Sequence, residues 1–193
     1  MNAIVILAAG SSSRMGLPKQ NLVYKGQTLL QAAIKNAVSV SENVLVVLGA
    51  NRENIEHTIT DQHVNIIYNP NWPEGMASSI SLAIDHIQTA YLQITSVLFM
   101  LCDQPFADEK ILKQLIDTAS ATDKGIVACT YYEAVGVPAL FKQKYFPYLL
   151  ALKGKDGAKK LFELHADDVE TIPFPLGNID IDTAQDYNRL KGE

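Results

Sequence analysis

The segment Leu7-Ala8-Ala9-Gly10-Ser11-Ser12-Ser13-Arg14-Met15-Gly16-Leu17-Pro18-Lys19 carries two cations among small residues. Gly10 and Gly16 let the backbone turn where a Cβ would clash, and the short side chains of Ala8, Ala9 and Ser11 to Ser13 let amide N–H groups approach an anion. Arg14 brings a planar fork that matches phosphate oxygens, and Lys19 a compact point charge. This chemistry is that of polyphosphate binding. Neither common phosphate-loop fingerprint is present: GxxxxGK[ST] needs a lysine directly after its second glycine, and GxGxxG is absent.

Carboxylates supply the second kind of chemistry. Asp103, in Leu101-Cys102-Asp103-Gln104-Pro105, ends an apolar run and suits a hard cation such as Mg²⁺, which binds one or two carboxylates plus substrate phosphates. Asp108 or Ala107 can begin the helix that follows, so Asp103 is not needed as its cap. Near the C-terminus, Asn178-Ile179-Asp180-Ile181-Asp182-Thr183 alternates like an extended strand, with the two isoleucines on one face and the two aspartates on the other. One of Asp180 and Asp182 is expected to cap the helix that follows and the other to bind metal; the spacing does not distinguish them. In Gly75-Met76-Ala77-Ser78-Ser79, Ser78 is expected to cap a helix starting near Ser79, which is compatible with ligand contact.

The elements that must position these groups follow from periodicity. Apolar runs at 3–7, 44–48, 64–68, 96–101 and 126–130 predict strands. Between them, Leu29, Leu30, Ala33, Ile34, Ala37 and Val38 recur at helical spacing. Ile80, Ala83, Ile84 and Ile87 do the same, as do Ile111, Leu112, Leu115 and Ile116. Strands this uniformly apolar are buried on both faces, which predicts a three-layer α/β fold with a mostly parallel sheet and helices on each side. Residues 131–193 are less regular and predict an antiparallel excursion, a turn at 152–157 and a closing helix over 183–190. In such a sheet ligands bind beyond the C-terminal strand ends, where the loops just described all fall.

With 193 residues, 48% hydrophobic and 19% charged, the chain has the size of one cored domain. The net charge of −5 gives no overall attraction to nucleic acid or an anionic membrane. Cys102 and Cys129 lie in apolar segments without a CxxC or histidine partner and are expected to be buried, reduced thiols. No stretch has the length of a membrane span, and a cytoplasmic protein is expected. His57, His63, His86 and His165 are scattered and carry no catalytic pattern. Trp72, between Pro70 and Pro73, is expected to stiffen the loop before Gly75, with stacking on a base or pterin as a second possibility.

The order L-A-A-G-x-S-x-R-M-G-x-x-K, G-M-x-x-S, D-Q-P, G-x-P-x-L-F, a G-x-x-G-A-like turn and D-I-D-T runs over nearly the whole chain. It resembles the molybdenum cofactor cytidylyltransferase branch of the nucleotidyltransferases. The resemblance implies a Rossmann-like nucleotidyltransferase fold and transfer of CMP from CTP to the phosphate of molybdenum-bound molybdopterin, with release of pyrophosphate. It implies a single domain over 1–193, with a nucleotide-binding half at about 1–130 and an acceptor-binding half with closing elements at about 131–193. Arg14, Lys19 and Asp103 would be catalytic. Leu7, Ala8, Ala9, Gly10, Arg14, Lys19, Gly75, Ser78, Ser79 and Asp103 would bind the nucleotide. Gln104, Pro105, Gly136, Val137 and Pro138 would face the acceptor. Asp103 with Asp180 or Asp182 would hold Mg²⁺, with Mn²⁺ as the alternative. A molybdenum hydroxylase such as a xanthine or aldehyde dehydrogenase would receive the product. Guanylyl-transferring relatives typically have L-A-G-G and R-M-G-G-x-D-K; Ala9 and Gly16-Leu17-Pro18-Lys19 depart from that pattern and favour cytidine. Two other readings stand beside it: a nucleotidyltransferase for guanylyl, sugar-phosphate or alcohol-phosphate substrates, which would share the first loop and Asp103, and a carrier that holds the finished cofactor and inserts it into a molybdenum hydroxylase.

Overall fold

The computed structural model of the protein describes residues 1–192. The chain opens with β1 (Asn2–Ala8), a two-stranded ribbon of β2 (Val23–Tyr24) and β3 (Gln27–Thr28), then α1 (Leu29–Val38), β4 (Val44–Leu48) and the short α2 (Arg52–Glu56). It continues through β5 (Val64–Tyr68), α3 (Met76–Ala90), β6 (Ser96–Leu101) and α4 (Glu109–Ala121). The last part is β7 (Ile126–Tyr131), β8 (Ala134–Lys142), α5 (Phe146–Leu150), α6 (Lys159–Leu164), β9 (Val169–Pro173) and α7 (Ala184–Lys191).

Seven strands form one sheet in the order β5-β4-β1-β6-β8-β7-β9. Only β8 runs against its neighbours β6 and β7, and this is the antiparallel excursion that the sequence predicts. The apolar runs are explained by burial on both faces. Ile4, Ile6 and Ala8 of β1 join the cluster under α1 and α4, while Ala3, Val5 and Leu7 join the cluster under α3, α5 and α6. Each fully buried Leu or Ile contributes about 1.5–3 kcal/mol by area. The sheet is therefore the centre of a three-layer α/β arrangement, mostly parallel and covered by helices on both faces. Strand order reverses at β1, with β4 on one side and β6 on the other, so a crevice opens above Ala8 and Leu101.

Helix starts follow local chemistry, and two differ from expectation. Asp108 caps α4, accepting from Lys110 N and Ile111 N at 3.1 Å, and leaves Asp103 free. The cap of α7 is Thr183, not an aspartate: its hydroxyl accepts from Asp186 N while the Asp186 carboxylate accepts from Thr183 N at 2.9 Å. This reciprocal box satisfies two backbone donors at once, so both Asp180 and Asp182 are spared. Residues 178–183 form no strand, and Ile181 is buried while Ile179 is exposed, because Ile181 N turns in to donate to Asp103 O at 3.0 Å. Likewise α3 begins at Met76 with Gly75 as its cap, so Ser78 lies inside the first turn and caps nothing.

Cys102 and Cys129 are both buried and unbridged, and burial lifts each thiol to about 12. Among the described residues no helix is long and apolar enough to cross a membrane.

Asp168 ties the start of β9 to the start of β7. It accepts from Gly125 N at 3.0 Å and Tyr145 Oη at 2.6 Å, and pairs with Lys144 Nζ at 2.7 Å. Partial burial works against its charge, but these donors outweigh the loss and bring its pKa from 3.8 down to about 2. The folded carboxyl thus titrates below the unfolded one, so its stabilisation is complete above about pH 5 and is lost as pH falls through 2. Asp168→Asn is expected to lower unfolding free energy at pH 7 by about 1–2 kcal/mol in urea titrations, and the gap from the parent protein should close as the pH approaches 2.

Candidate active site

The loop after β1 is held by residues inside it. Gln20 is buried, and its amide nitrogen donates to Ala8 O at 2.8 Å and Gly10 O at 3.2 Å. Ser12 Oγ accepts from Lys19 N at 3.0 Å and donates to Gln20 Oε1. Ser12 has φ of 53° and Gly16 of 74°, so the loop folds back through two left-handed positions and presents Lys19 over the sheet edge.

Lys19 is where distant motifs meet. Its ammonium bonds to Asp103 Oδ2, and to Asp182 Oδ1 at 3.1 Å; Asp182 Oδ2 also receives Arg14 at 2.9 Å. The Lys19 and Asp103 side chains are only 18% and 10% exposed, whereas Arg14 is 71% exposed at the rim. Burial disfavours the Lys19 charge, yet the adjacent Asp103 carboxylate, with Asp182, more than offsets this and holds its pKa above the usual value. Lys19 is thereby held as a cation near neutral pH. Among the described residues Asp180 has no such ion-pair partner; burial first, then the Asp182 and Asp103 carboxylates, push its pKa up.

Asp103 Oδ1 is buried and has no hydrogen-bond partner, as is Gln104 Oε1. Such orphaned oxygens are costly unless a ligand completes them. Among the described residues no group of three or more His, Cys, Asp or Glu is gathered as a ready-made metal cluster. What stands here instead is one carboxylate with a free lone pair, two more within its field and an ammonium between them. This donor set fits a hard divalent ion whose remaining ligands come from phosphate oxygens.

Two clefts flank Leu101. The first, of 290 Å³, is lined by Leu7, Ala9, Gly10, Lys19, Gly75, Ser79 and Asp103, with Ser11, Trp72, Pro73 and Met76 completing it. The structure thus brings together most residues predicted to hold a nucleotide. Ala8 lies buried beneath the cleft with its carbonyl taken by Gln20, and Ser78 stands behind it, its hydroxyl donating to Asn71 O and Gly75 O. The second, of 540 Å³, includes Leu101, Gln104, Tyr131, Val137, Gly177 and Asp180. Gln104 donates to Val137 O at 3.0 Å and Gly177 O at 2.9 Å, so one amide links three segments. Gly136 and Pro138 are buried in β8, where a Cβ on Gly136 would strike the Tyr131 hydroxyl at 1.7 Å. Pro105 does not line this cleft.

Sequence reasoning missed three organising residues: Gln20, Asn69 and Tyr131. Asn69 is 2% exposed and its amide donates to Ser78 Oγ at 2.8 Å and Ser79 Oγ at 2.9 Å, fixing the lip of the first cleft. Asn before Pro is an ordinary turn signal, so nothing in the local pattern marks this second role.

Residues 4–169 match the family described as a MobA-like NTP transferase domain. The molybdenum cofactor cytidylyltransferase of Escherichia coli (strain K12) is 34% identical over 98 residues, 49% of this chain and 51% of that relative, so the match spans about half its length. The purine catabolism protein PucB of Bacillus subtilis (strain 168) is 27% identical over 97% of this chain and 94% of its own. Rv0371c from Mycobacterium tuberculosis H37Rv superposes with a TM-score of 0.88 at 28% identity, covering 100% of this chain and 97% of that one. A structure of Rv0371c in complex with manganese superposes at 0.81, with 27% identity and 98% and 97% coverage.

Removing the ammonium alone would leave Asp103 buried without its counter-ion. Lys19→Met is expected to cost about 3 kcal/mol or more in chemical denaturation, and adding Asp103→Leu should recover most of that loss. A fully additive double variant would mean the pair is not coupled.

Proposed function

The chain belongs to the MobA-like NTP transferase family, and from that premise we propose that it transfers CMP from CTP to the phosphate of molybdenum-bound molybdopterin, releasing pyrophosphate. The observation that carries this reading is the convergence of Lys19, Asp103 and Asp182 beside a cleft lined by the small residues of the first loop. In this reading the first cleft takes the nucleotide and the second the acceptor, with residues 1–130 and 131–193 as the corresponding halves of one domain.

The chemistry follows from charge. The acceptor is a phosphate monoester, largely ionised near neutral pH, so an acceptor oxygen attacks the α-phosphorus without a general base. The bond to the β-phosphate oxygen breaks, and pyrophosphate leaves with the electron pair. The protein must align the two phosphates and neutralise the charge that builds on them. Lys19 is suited to this because it remains protonated across the physiological range, and Arg14, exposed at the rim, can turn from Asp182 to the triphosphate. Backbone N–H groups near Ala9 and Gly10, freed of bulky side chains, complete the cradle. Mg²⁺ or Mn²⁺ held by Asp103 with Asp180 or Asp182 would neutralise charge on the triphosphate and the leaving group. Manganese in the relative Rv0371c supports a divalent ion.

The cytidine assignment rests on the first loop and on the similarity to the Escherichia coli cytidylyltransferase. Ala9 is among the residues lining the nucleotide cleft, at the position where guanylyl-transferring relatives typically have glycine. Similarity to a purine catabolism protein over nearly the full chain supports a purine-oxidising molybdenum hydroxylase as the recipient.

Calorimetric titration with CTP, GTP and ATP in the presence of Mg²⁺ tests the reading. CTP is expected to bind most tightly and Arg14→Ala to abolish the signal; a preference for GTP would move the protein to guanylyl transfer. In turnover with the molybdenum cofactor, Asp103→Ala is expected to lower kcat by about 10²-fold or more, and an unchanged metal dependence in that variant would remove Asp103 from the metal site.

A further inference from the structure

An anionic acceptor needs a cation of its own, and the second cleft offers none. Its lining includes Glu133 and Asp180 and neither lysine nor arginine, while Arg14 and Lys19 are engaged with Asp182 and Asp103 on the nucleotide side. A phosphate placed deep in that cleft would meet only carboxylates. Its counter-charge must therefore come from residues outside that lining.

The segment Lys153-Gly154-Lys155-Asp156-Gly157-Ala158-Lys159-Lys160, between α5 and α6, supplies such a charge in a chain whose net charge is −5. Lys160 pairs with Asp156 at 2.7 Å, but Lys153, Lys155 and Lys159 are exposed and form no ion pair among the described residues. The backbone of this turn is pressed against the nucleotide cleft. Gly154 O accepts from Ala77 N at 3.2 Å, in the first turn of α3. A Cβ on Gly75 would lie 2.3 Å from Gly154 O and 3.0 Å from Lys155 N, and a Cβ on Gly157 would lie 3.2 Å from Met76 Sδ. Gly75 and Met76 both line the nucleotide cleft. Gly75 has φ of 113° and Gly154 of 60°, so two glycines in left-handed conformations allow a backbone contact that any side chain on Gly75 would forbid. Leu152 and Ala158, at the two ends of the turn, pack in the same cluster as Leu101 and Val137, which line the second cleft.

We propose that Lys153 and Lys155 bind the phosphomonoester end of the acceptor and hold it beside the nucleotide, an inference that rests on the nucleotidyltransferase reading above. The uncharged, hydrogen-bonding part of the acceptor then faces Gln104 and Tyr131, and Lys159 adds to the field that draws the phosphate in. The turn at Gly154 to Ala158 thereby gains a function in the reaction.

Trp72 is the chain's only tryptophan and lines the nucleotide cleft, so its fluorescence reports binding there. Protein saturated with CTP and Mg²⁺ is titrated with phenyl phosphate, a simple phosphomonoester, and heteronuclear NMR of the backbone amides at 153–157 gives a second readout. Lys153→Ala/Lys155→Ala is expected to raise the phenyl phosphate Kd about ten-fold or more, as loss of charge-assisted hydrogen bonds requires. Its CTP Kd should change less than about two-fold, and Lys160→Ala, which removes the paired lysine, should change neither constant by more. Equal phenyl phosphate affinity in the double variant and the parent, or no saturable binding to the parent, would overturn the proposal. Failure of the parent to bind CTP would count against the nucleotidyltransferase reading instead, since the phosphate titration can be read on the same sample without nucleotide.

Discussion

One ammonium group joins the parts of this molecule that are farthest apart in sequence. Lys19 comes from the loop after the first strand, Asp103 from the end of a central strand and Asp182 from the segment before the last helix, and both carboxylates bond to the same nitrogen. Buried charges of this kind are stable only when each is paired, so the pairing dictates how the loop, the sheet edge and the C-terminal segment must meet. Ile181 N bonded to Asp103 O, and Gln104 bonded to Val137 O and Gly177 O, extend the same junction into the second cleft. Asp103 is therefore the partner of Lys19 and at the same time leaves its Oδ1 unpaired.

The fold creates this junction by a simple constraint. A sheet buried on both faces must be covered on both, and strand order has to reverse somewhere to allow it. Here the reversal falls between β1 and β6, so their loops diverge and leave a crevice. The cationic first loop and Asp103 face each other across it. Both pKa values are raised, for different reasons: at Lys19 the Asp103 carboxylate outweighs burial and secures the cation, and at Asp180 burial, then the Asp182 and Asp103 carboxylates, disfavours the charge.

Much of this was legible along the chain because it is local. The five apolar runs and three helical periodicities locate the sheet and its layers, and Gly10, Arg14 and Lys19 mark a loop with the chemistry to take an anion without any knowledge of its neighbours. The errors came where local chemistry offered two equal choices. Asp182 before Thr183 looks as good a cap as Thr183 itself until Asp186 closes the reciprocal box, and alternation in 178–183 imitates a strand although no neighbour pairs with it. Long-range facts had no local sign at all. Nothing near Gln20 or Asn69 announces that their amides brace the two loops, and the union of Lys19 with Asp103 and Asp182 exists only once the sheet has formed.

The most direct test of the whole account is a product assay with purified protein, Mg²⁺, α-labelled nucleoside triphosphates and molybdenum-loaded molybdopterin. The account predicts labelled cytidine dinucleotide and pyrophosphate in equal amounts, with little product from GTP or ATP. Formation of no dinucleotide from any triphosphate, by a folded sample that binds the cofactor, would contradict it.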